Sequence, residues 1–161
     1  MDTIKPFQLG SISHGTLRTE DLLEAFADVL NSLDKTNPLI AEALDLIAIG
    51  DKWNDHDEPT IDWTDDQEES AFILVNESLP DALQELCPPF IYFGTLEGDG
   101  SDFGFWPDIE SLEEDLEYNG RPMLGDSEYT HLDDAGLLVH INDHGNVSVF
   151  DQQGNLLWDC V

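Results

Sequence analysis

Apolar residues in the first third of the chain recur every three or four positions, which predicts two amphipathic helices. The first is predicted over residues 19–34, with Thr19 as its N-cap and acidic residues in its first turn. The second is predicted from Asn37, with Pro38 at the favoured first helical position, to a stop at Gly50. An acidic loop is expected to follow it.

A third helix is predicted after that loop. Thr64 and Gln67 have the spacing of a capping box, and the apolar residues that follow, including Phe72, are expected on the buried side. Pro80 is expected to break or restart this helix. A short helical turn, capped by Ser78, should then run to the two prolines that begin at Pro88.

The second half of the chain favours strands. The aromatic segments FIYFG and FGFW flank the glycine-rich TLEGDGSD, a pattern that predicts a β-hairpin. A short acidic helix, DIESLEEDLEY, is expected after Pro107. The segments GLLVHIN, VSVF and LLWDCV are separated by turn sequences and predict a three-stranded antiparallel meander.

This order of elements predicts an α+β fold. We expect the N-terminal helices to pack on an antiparallel sheet made of the central hairpin and the C-terminal three-stranded meander. The length favours a single acidic domain over residues 1–161, since a chain of about 150 residues buries roughly 70% of its unfolded surface.

Charge changes this picture more than any single motif. The chain carries 36 Asp and Glu against 5 Lys and Arg, a formal net charge of −31. So few cations exclude direct nucleic-acid binding and make docking on an anionic membrane unfavourable. A basic partner, adaptation to high salt, and solubility each account for such acidity. Solubility alone explains it least well, because a net charge of about 2 to 8 already disperses a small domain.

Sequence signals for export, cofactors and catalysis are missing. No apolar segment approaches the roughly 20 residues of a membrane helix, and no cationic leader opens the chain, so a cytoplasmic protein is expected. Cys87 and Cys160 have neither metal-site spacing nor a disulfide framework. No nucleophile elbow, phosphate-binding loop or dinucleotide fingerprint occurs. We therefore expect a protein that is not an enzyme, with no cofactor and no catalytic residue.

Two segments have partial metal-site patterns. Residues 99–110 match an EF-hand loop at Asp99, Ser101 and Glu110, but Phe103 occupies a position that needs an oxygen ligand, so a hairpin turn is favoured. His140 and His144 are four residues apart, yet they fall at a predicted strand end and turn. Neither pattern predicts a metal ligand. His14 and His131 are expected in loops without partners.

The acidic surface itself remains as the candidate binding feature. Carboxylates at i, i+3 and i+4 of a helix lie about 5 to 6 Å apart and can imitate closely spaced phosphates. The predicted partner-binding residues are Asp55, Asp57, Glu58, Asp65, Asp66, Glu68, Glu69, Glu110, Glu113, Glu114 and Glu117. Trp53 and Trp63 are either exposed anchors of the same contact or core residues.

The segments HGTLRTEDLLEAF and IYFGTLEGDGSDFGFWP resemble a family of small acidic proteins found in phages and conjugative elements. The resemblance covers about two thirds of the chain and implies a genomic context, but no catalytic residue. By analogy with acidic DNA mimics carried by mobile elements, it suggests an inhibitor of a host restriction or CRISPR nuclease.

Three hypotheses follow. The first is a DNA-mimic inhibitor that binds a basic nucleic-acid-binding host protein by competition. The second is an immunity or antitoxin-like binder of one basic protein. A separate alternative is an acidic protein of a high-salt organism with an undefined function. The third is an enzyme or metal protein using Asp99, Asp102 and Glu110 or the His140 pair.

Overall fold

The computed structural model describes residues 9–50, 63–87, 90–108, 110–111, 114, 129–132, 137–141, 147–151 and 153–159. It confirms the α+β class. The helices are α1 (Thr19–Leu33), α2 (Leu39–Gly50), α3 (Asp65–Ile73), a π turn (Leu74–Ser78) and α4 (Leu79–Glu85). The strands are β1 (Gly10–Ser13), β2 (Ile91–Leu96), β3 (Asp99–Pro107), β4 (Tyr129–Leu132), β5 (Leu137–Ile141), β6 (Val147–Phe150) and β7 (Leu156–Asp159).

Contacts divide the chain into two compact units. The helical unit comprises Ser11–Cys87 and Phe93–Gly104, and the strand unit takes in the remaining described residues. The expected single domain over residues 1–161 stays a prediction.

The first two helices begin within one residue of the predicted positions. The N-cap of α1 is Arg18, not Thr19. The hydroxyl of Thr16 explains the shift, because it accepts the Arg18 backbone N–H at 3.2 Å and donates to Asp21 Oδ2 at 2.7 Å, fixing the chain as it enters the helix. Helix α2 begins at Leu39, one residue after the predicted first position at Pro38, and Asn37 Oδ1 accepts the Leu39 backbone N–H at 3.1 Å.

The predicted restart near Pro80 is confirmed, because α4 begins at Leu79 with Ser78 at the N-cap position and Pro80 in its first turn. The chain nevertheless stays helical between α3 and α4. It continues from α3 through the π turn into α4, where the Leu79 backbone N–H donates to the Leu74 carbonyl five residues earlier. Ala71, Val75, Leu79 and Leu83 are buried at intervals of four residues. In a regular α-helix that spacing drifts by about 40° at each step, and the wider π turn offsets most of the drift. The same turn accommodates a proline that lacks a backbone donor.

The core of the helical unit is built around α1. Leu23, Phe26 and Leu30 are fully buried. The ring of Phe26 packs edge-on against Phe93 of β2 and Phe103 of β3, with ring centroids 5.1 and 5.3 Å apart. Helix α1 therefore lies against the hairpin.

The predicted hairpin is present with a tighter turn than expected. Strands β2 and β3 are separated only by Glu97 and Gly98, and Gly98 adopts φ 88°, a value that glycine tolerates best. Strand β1 adds to the other edge of β3, giving the order β1-β3-β2. The sequence does not predict this strand. Four residues with glycine and serine carry too little β propensity to reveal this pairing.

The strand unit contains a second sheet with the order β4-β5-β6-β7. All three neighbouring pairs are antiparallel, and the predicted meander of β5, β6 and β7 is confirmed. Two expectations need correction: β4 extends the meander to four strands, and the hairpin and the meander belong to different sheets. The hairpin finds its third strand in β1, so its β3 edge is already paired.

The turn between β6 and β7 is fixed by one aspartate. Asp151 accepts hydrogen bonds from the Gln153 and Asn155 backbone N–H groups and from the Asn155 amide, at 2.7 to 2.9 Å. Gly154 takes the positive φ of 83°. These interactions lower the pKa of Asp151, with the side-chain bond to Asn155 as the largest cause. The predicted DQQGN turn is therefore confirmed.

Candidate functional site

The predicted acidic cluster at the start of α3 is present and exposed. Gln67 Oε1 accepts the Thr64 backbone N–H at 3.0 Å, which is the returning bond of the expected capping box and fixes the first turn of α3. Four exposed carboxylates follow from this start: Asp65, Asp66, Glu68 and Glu69. Their negative charge also favours the helix itself, because the N-terminus of a helix carries a partial positive charge.

Three of these carboxylates line a groove with side chains from elsewhere in the helical unit. The groove has a volume of about 480 Å³. The residues that line it are Thr19, Glu20, Trp63, Asp65, Glu68, Glu69 and Phe72, and we call it the α3 groove. It combines two aromatic side chains with four carboxylates, a composition that suits a cation carrying an apolar or planar body.

The two aromatic residues of the α3 groove are held differently. Trp63 is half-buried, and its indole Nε1–H donates to the Leu46 carbonyl of α2 at 3.0 Å. This bond fixes the orientation of the indole, so Trp63 both packs against the fold and lines the groove. Phe72 is 57% exposed, which corrects the expectation that it lies on the buried side of its helix.

The carboxylates of the α3 groove have few cationic partners. Glu20 forms an ion pair with Arg18. Among the described residues, the other ion-pair contact is between His14 and Asp99, so Asp65, Glu68 and Glu69 have none there. The sequence ranges of the helical unit contain three Lys or Arg residues, Arg18, Lys35 and Lys52, and Lys52 lies outside the described residues. Among the described residues, the negative charge at the groove is therefore compensated only by the pair between Arg18 and Glu20.

The second predicted cluster is described only in part. Glu110 and Glu114 are exposed and helical, and Asp108 begins their helix by accepting the Ser111 backbone N–H at 3.0 Å and its hydroxyl at 2.7 Å. These residues belong to the strand unit, whereas α3 belongs to the helical unit. The other predicted residues, Asp55, Asp57, Glu58, Glu113, Glu117 and Trp53, lie outside the described residues.

The segment with partial EF-hand spacing is a strand. Residues 99–107 form β3, so the hairpin interpretation is confirmed. Asp99 Oδ1 accepts the Ser101 backbone N–H at 3.0 Å and its hydroxyl at 2.8 Å. These bonds are the main reason why the pKa of Asp99 is lowered. Asp102 Oδ1 is buried and accepts no hydrogen bond. Within the described part of the chain, no group of three His, Cys, Asp or Glu is placed to hold a metal ion.

The histidines are placed differently from two of the expectations. His14 has a neighbour, because its Nε2 lies 3.6 Å from Asp99 Oδ2, and both side chains are largely exposed. His131 lies on β4 and not in a loop. His140 lies on β5, opposite Tyr129 and Ser148, as predicted for a strand histidine. His144 lies outside the described residues.

Sequence reasoning missed Glu20 and Phe72 as groove residues. Phe72 follows Glu68 by four positions and Glu69 by three, so helical spacing already placed it on the acidic face. Its apolar character favoured the core assignment. Glu20 comes from α1, and no local signal connects it to α3.

Comparison with known proteins gives no relative: the chain matches no protein-family model, no curated protein and no solved structure. Among the described residues, every helix is too short or too polar to span a bilayer. Function is therefore inferred from the chemistry of the α3 groove and from the charge of the chain.

Proposed function

We propose that this protein is an acidic inhibitor of the DNA-mimic type, which binds a basic nucleic-acid-binding protein and competes with its nucleic acid. The observation that carries the proposal is the cluster of exposed carboxylates on α3, of which Asp65, Glu68 and Glu69 line the α3 groove without an ion-pair partner among the described residues. A basic partner supplies the charge that this surface lacks.

The physical advantage of such a surface is greatest during encounter. A net charge of −31 attracts a cationic protein over long distances, and ordinary salt screens that attraction within about 8 to 10 Å. At close range, carboxylates paired with arginines lose water and form charge-assisted hydrogen bonds. Competition then requires only that the acidic surface cover residues that otherwise contact phosphates.

The resemblance of residues 14–26 and 91–107 to small acidic proteins of phages and conjugative elements supplies the context of this proposal. A host nuclease that restricts incoming DNA is the class of partner that such an element gains most from blocking. The proposed inhibitor acts by binding alone and needs neither a cofactor nor a catalytic residue.

The test is a competition assay with labelled duplex DNA. Three purified basic proteins of unrelated fold serve as targets: a restriction endonuclease, a CRISPR nuclease and a non-specific DNA-binding protein. Fluorescence anisotropy reports the apparent Kd of each for DNA as this chain is added. We expect the apparent Kd of at least two of the three targets to rise in proportion to the inhibitor concentration, and the effect to weaken as NaCl is increased.

Two variants of equal net charge locate the contact. The α3 variant carries Asp65→Asn, Asp66→Asn, Glu68→Gln and Glu69→Gln, and the control variant carries Glu24→Gln, Asp28→Asn, Glu42→Gln and Asp45→Asn, all at exposed positions. We expect the α3 variant to inhibit at least about tenfold more weakly, and the control to change inhibition far less. Equal losses in both variants would mean that net charge, not the α3 cluster, is responsible.

The α3 groove also favours a second candidate, an immunity-like binder of one basic protein. An exposed aromatic residue such as Phe72 recognises a shape, whereas a mimic of DNA needs charge alone. The same panel separates the two functions. Competition against several unrelated DNA-binding proteins supports mimicry, whereas inhibition confined to one of them supports a specific binder.

A further inference from the structure

We propose that the α3 groove receives an arginine side chain of the basic partner, with the guanidinium stacked on the aromatic side chains and paired with the carboxylates. This inference rests on the proposed function only for the basic nature of the partner. The groove itself supplies the argument for arginine over any other cation.

The aromatic side chains of the groove favour arginine over lysine. Phe72 leaves 57% of its surface exposed, and Trp63 is oriented by the bond from its indole N–H to the Leu46 carbonyl. A planar guanidinium stacks on such rings and is weakly hydrated, so it loses little water on entering. The ammonium group of lysine is compact and strongly hydrated, and it gains less from an aromatic surface.

The carboxylates complete the recognition of arginine. Asp65, Glu68 and Glu69 line the same groove on one helix, with spacings of three and four residues between Asp65 and the two glutamates. A guanidinium has five N–H donors in a fixed plane, which lets it bind two carboxylate oxygens at once. The groove therefore offers both of the interactions that distinguish arginine from lysine.

The chain already contains one competitor for this site. Arg18 pairs with Glu20, which is the fourth carboxylate of the groove and comes from α1. The Arg18 and Glu20 side chains remain 56% and 28% exposed, so the pair is accessible to exchange. Removing Arg18 should therefore release Glu20 for an incoming arginine and strengthen binding.

The direct test uses two fluorescent 12-residue peptides that are identical except that one carries arginine where the other carries lysine. Anisotropy titrations with the full-length chain give a Kd for each. We expect the arginine peptide to bind about threefold to tenfold more tightly than the lysine peptide. The variant Phe72→Ala should reduce this preference to less than about twofold. Leu44→Ala, which removes another half-exposed apolar side chain outside the groove, should leave it unchanged.

A second pair of variants tests the competitor. Arg18→Gln and Lys35→Gln each remove one positive charge, but only Arg18 is paired with a groove carboxylate. We expect Arg18→Gln to tighten arginine-peptide binding by about twofold to fivefold more than Lys35→Gln does. Equal effects would show that only the overall charge matters.

Failure of this inference is distinguishable from failure of the proposed function. Equal affinity for the two peptides, or a preference that survives Phe72→Ala, overturns the arginine site even if the chain competes with DNA for a nuclease. Conversely, an arginine preference that depends on Phe72 supports the site even if no nuclease is displaced. Circular dichroism of each variant confirms that its fold is retained.

Discussion

At Asp99, a single carboxylate oxygen accepts two hydrogen bonds from Ser101, which is two residues away. These bonds favour the charged form and are the largest causes of its lowered pKa, while the charge of His14 contributes less. A lowered pKa in the folded state means that the charged form of Asp99 stabilises the fold. Stabilisation from Asp99 is present above its ordinary pKa and disappears as the pH falls through the lower pKa of the folded state.

We therefore expect Ser101→Ala to raise the pKa of Asp99 only part of the way toward its ordinary value of 3.8, because the variant loses the hydroxyl bond but keeps the backbone N–H bond, which is the largest cause. His14→Gln should raise the pKa by a smaller amount, because each contribution of His14 ranks below that of the Ser101 hydroxyl. An NMR titration of the side-chain carboxyl carbons measures both shifts. A larger effect from His14→Gln would contradict this assignment of causes.

Burial governs the chemistry of Cys87. The thiol is half-buried, it donates to the Leu83 carbonyl at 3.4 Å, and burial raises its pKa to about 11. Because the thiolate is the reactive form, alkylation at pH 8 should be about 100-fold slower than for a thiol at the ordinary pKa of 9.0. The Cys160→Ser variant isolates this rate with iodoacetamide. Denaturation should restore the ordinary rate, and fast alkylation of the folded protein would contradict the burial.

At the scale of elements, local signals predicted the helices better than the strands. The caps at Asn37 and Thr64 involve bonds within three residues, so the sequence around them contains the whole interaction. Strand β1 depends on a partner nearly ninety residues away, and nothing in Gly10–Ser13 specifies it. The π turn was missed for another reason. Its sequence signal is that buried residues recur every four positions, slightly more than the helical period, and Pro80 offered a simpler reason for an irregularity at this point.

The same difference between local and long-range signals applies to the candidate site. Asp65, Glu68 and Glu69 were predicted because a helix cap and helical spacing define their face. Glu20 joins them only through the packing of separate helices. Residue spacing therefore identified the charges of the α3 groove but not its complete lining.

The contact that ties α1 to the hairpin gives a direct test of the fold. Phe26 is fully buried and touches Phe93 and Phe103, so Phe26→Ala should lower the free energy of unfolding by about 3 to 5 kcal/mol. The exposed control Leu44→Ala should change it by less than about 0.5 kcal/mol. Urea unfolding monitored by circular dichroism measures both. Similar small losses would place Phe26 outside the core.

At the scale of the whole molecule, the net charge of −31 opposes folding through mutual repulsion. Its cost depends on how far each carboxylate senses the others. The screening distance falls from about 30 Å at 0.01 M salt to about 8 Å at 0.15 M. The dependence of stability on salt therefore separates two explanations of the acidic composition, selection for a basic partner and adaptation to high salt. A protein selected for a basic partner needs only enough salt to screen its own repulsion. A protein adapted to concentrated salt continues to gain stability at higher concentrations.

We expect the midpoint of thermal unfolding to rise by roughly 5 °C, equivalent to about 2 kcal/mol, between 0.01 and 0.2 M NaCl, and then to level off. Levelling follows because little repulsion is left to screen. KCl at equal concentration should give the same curve, and the variant with Glu24→Gln, Asp28→Asn, Glu42→Gln and Asp45→Asn should give a shallower one. A midpoint that keeps rising into the molar range would favour adaptation to high salt over selection for a basic partner. In 1 M salt the screening distance is only about 3 Å, so screening of the repulsion is nearly complete and cannot explain a further rise.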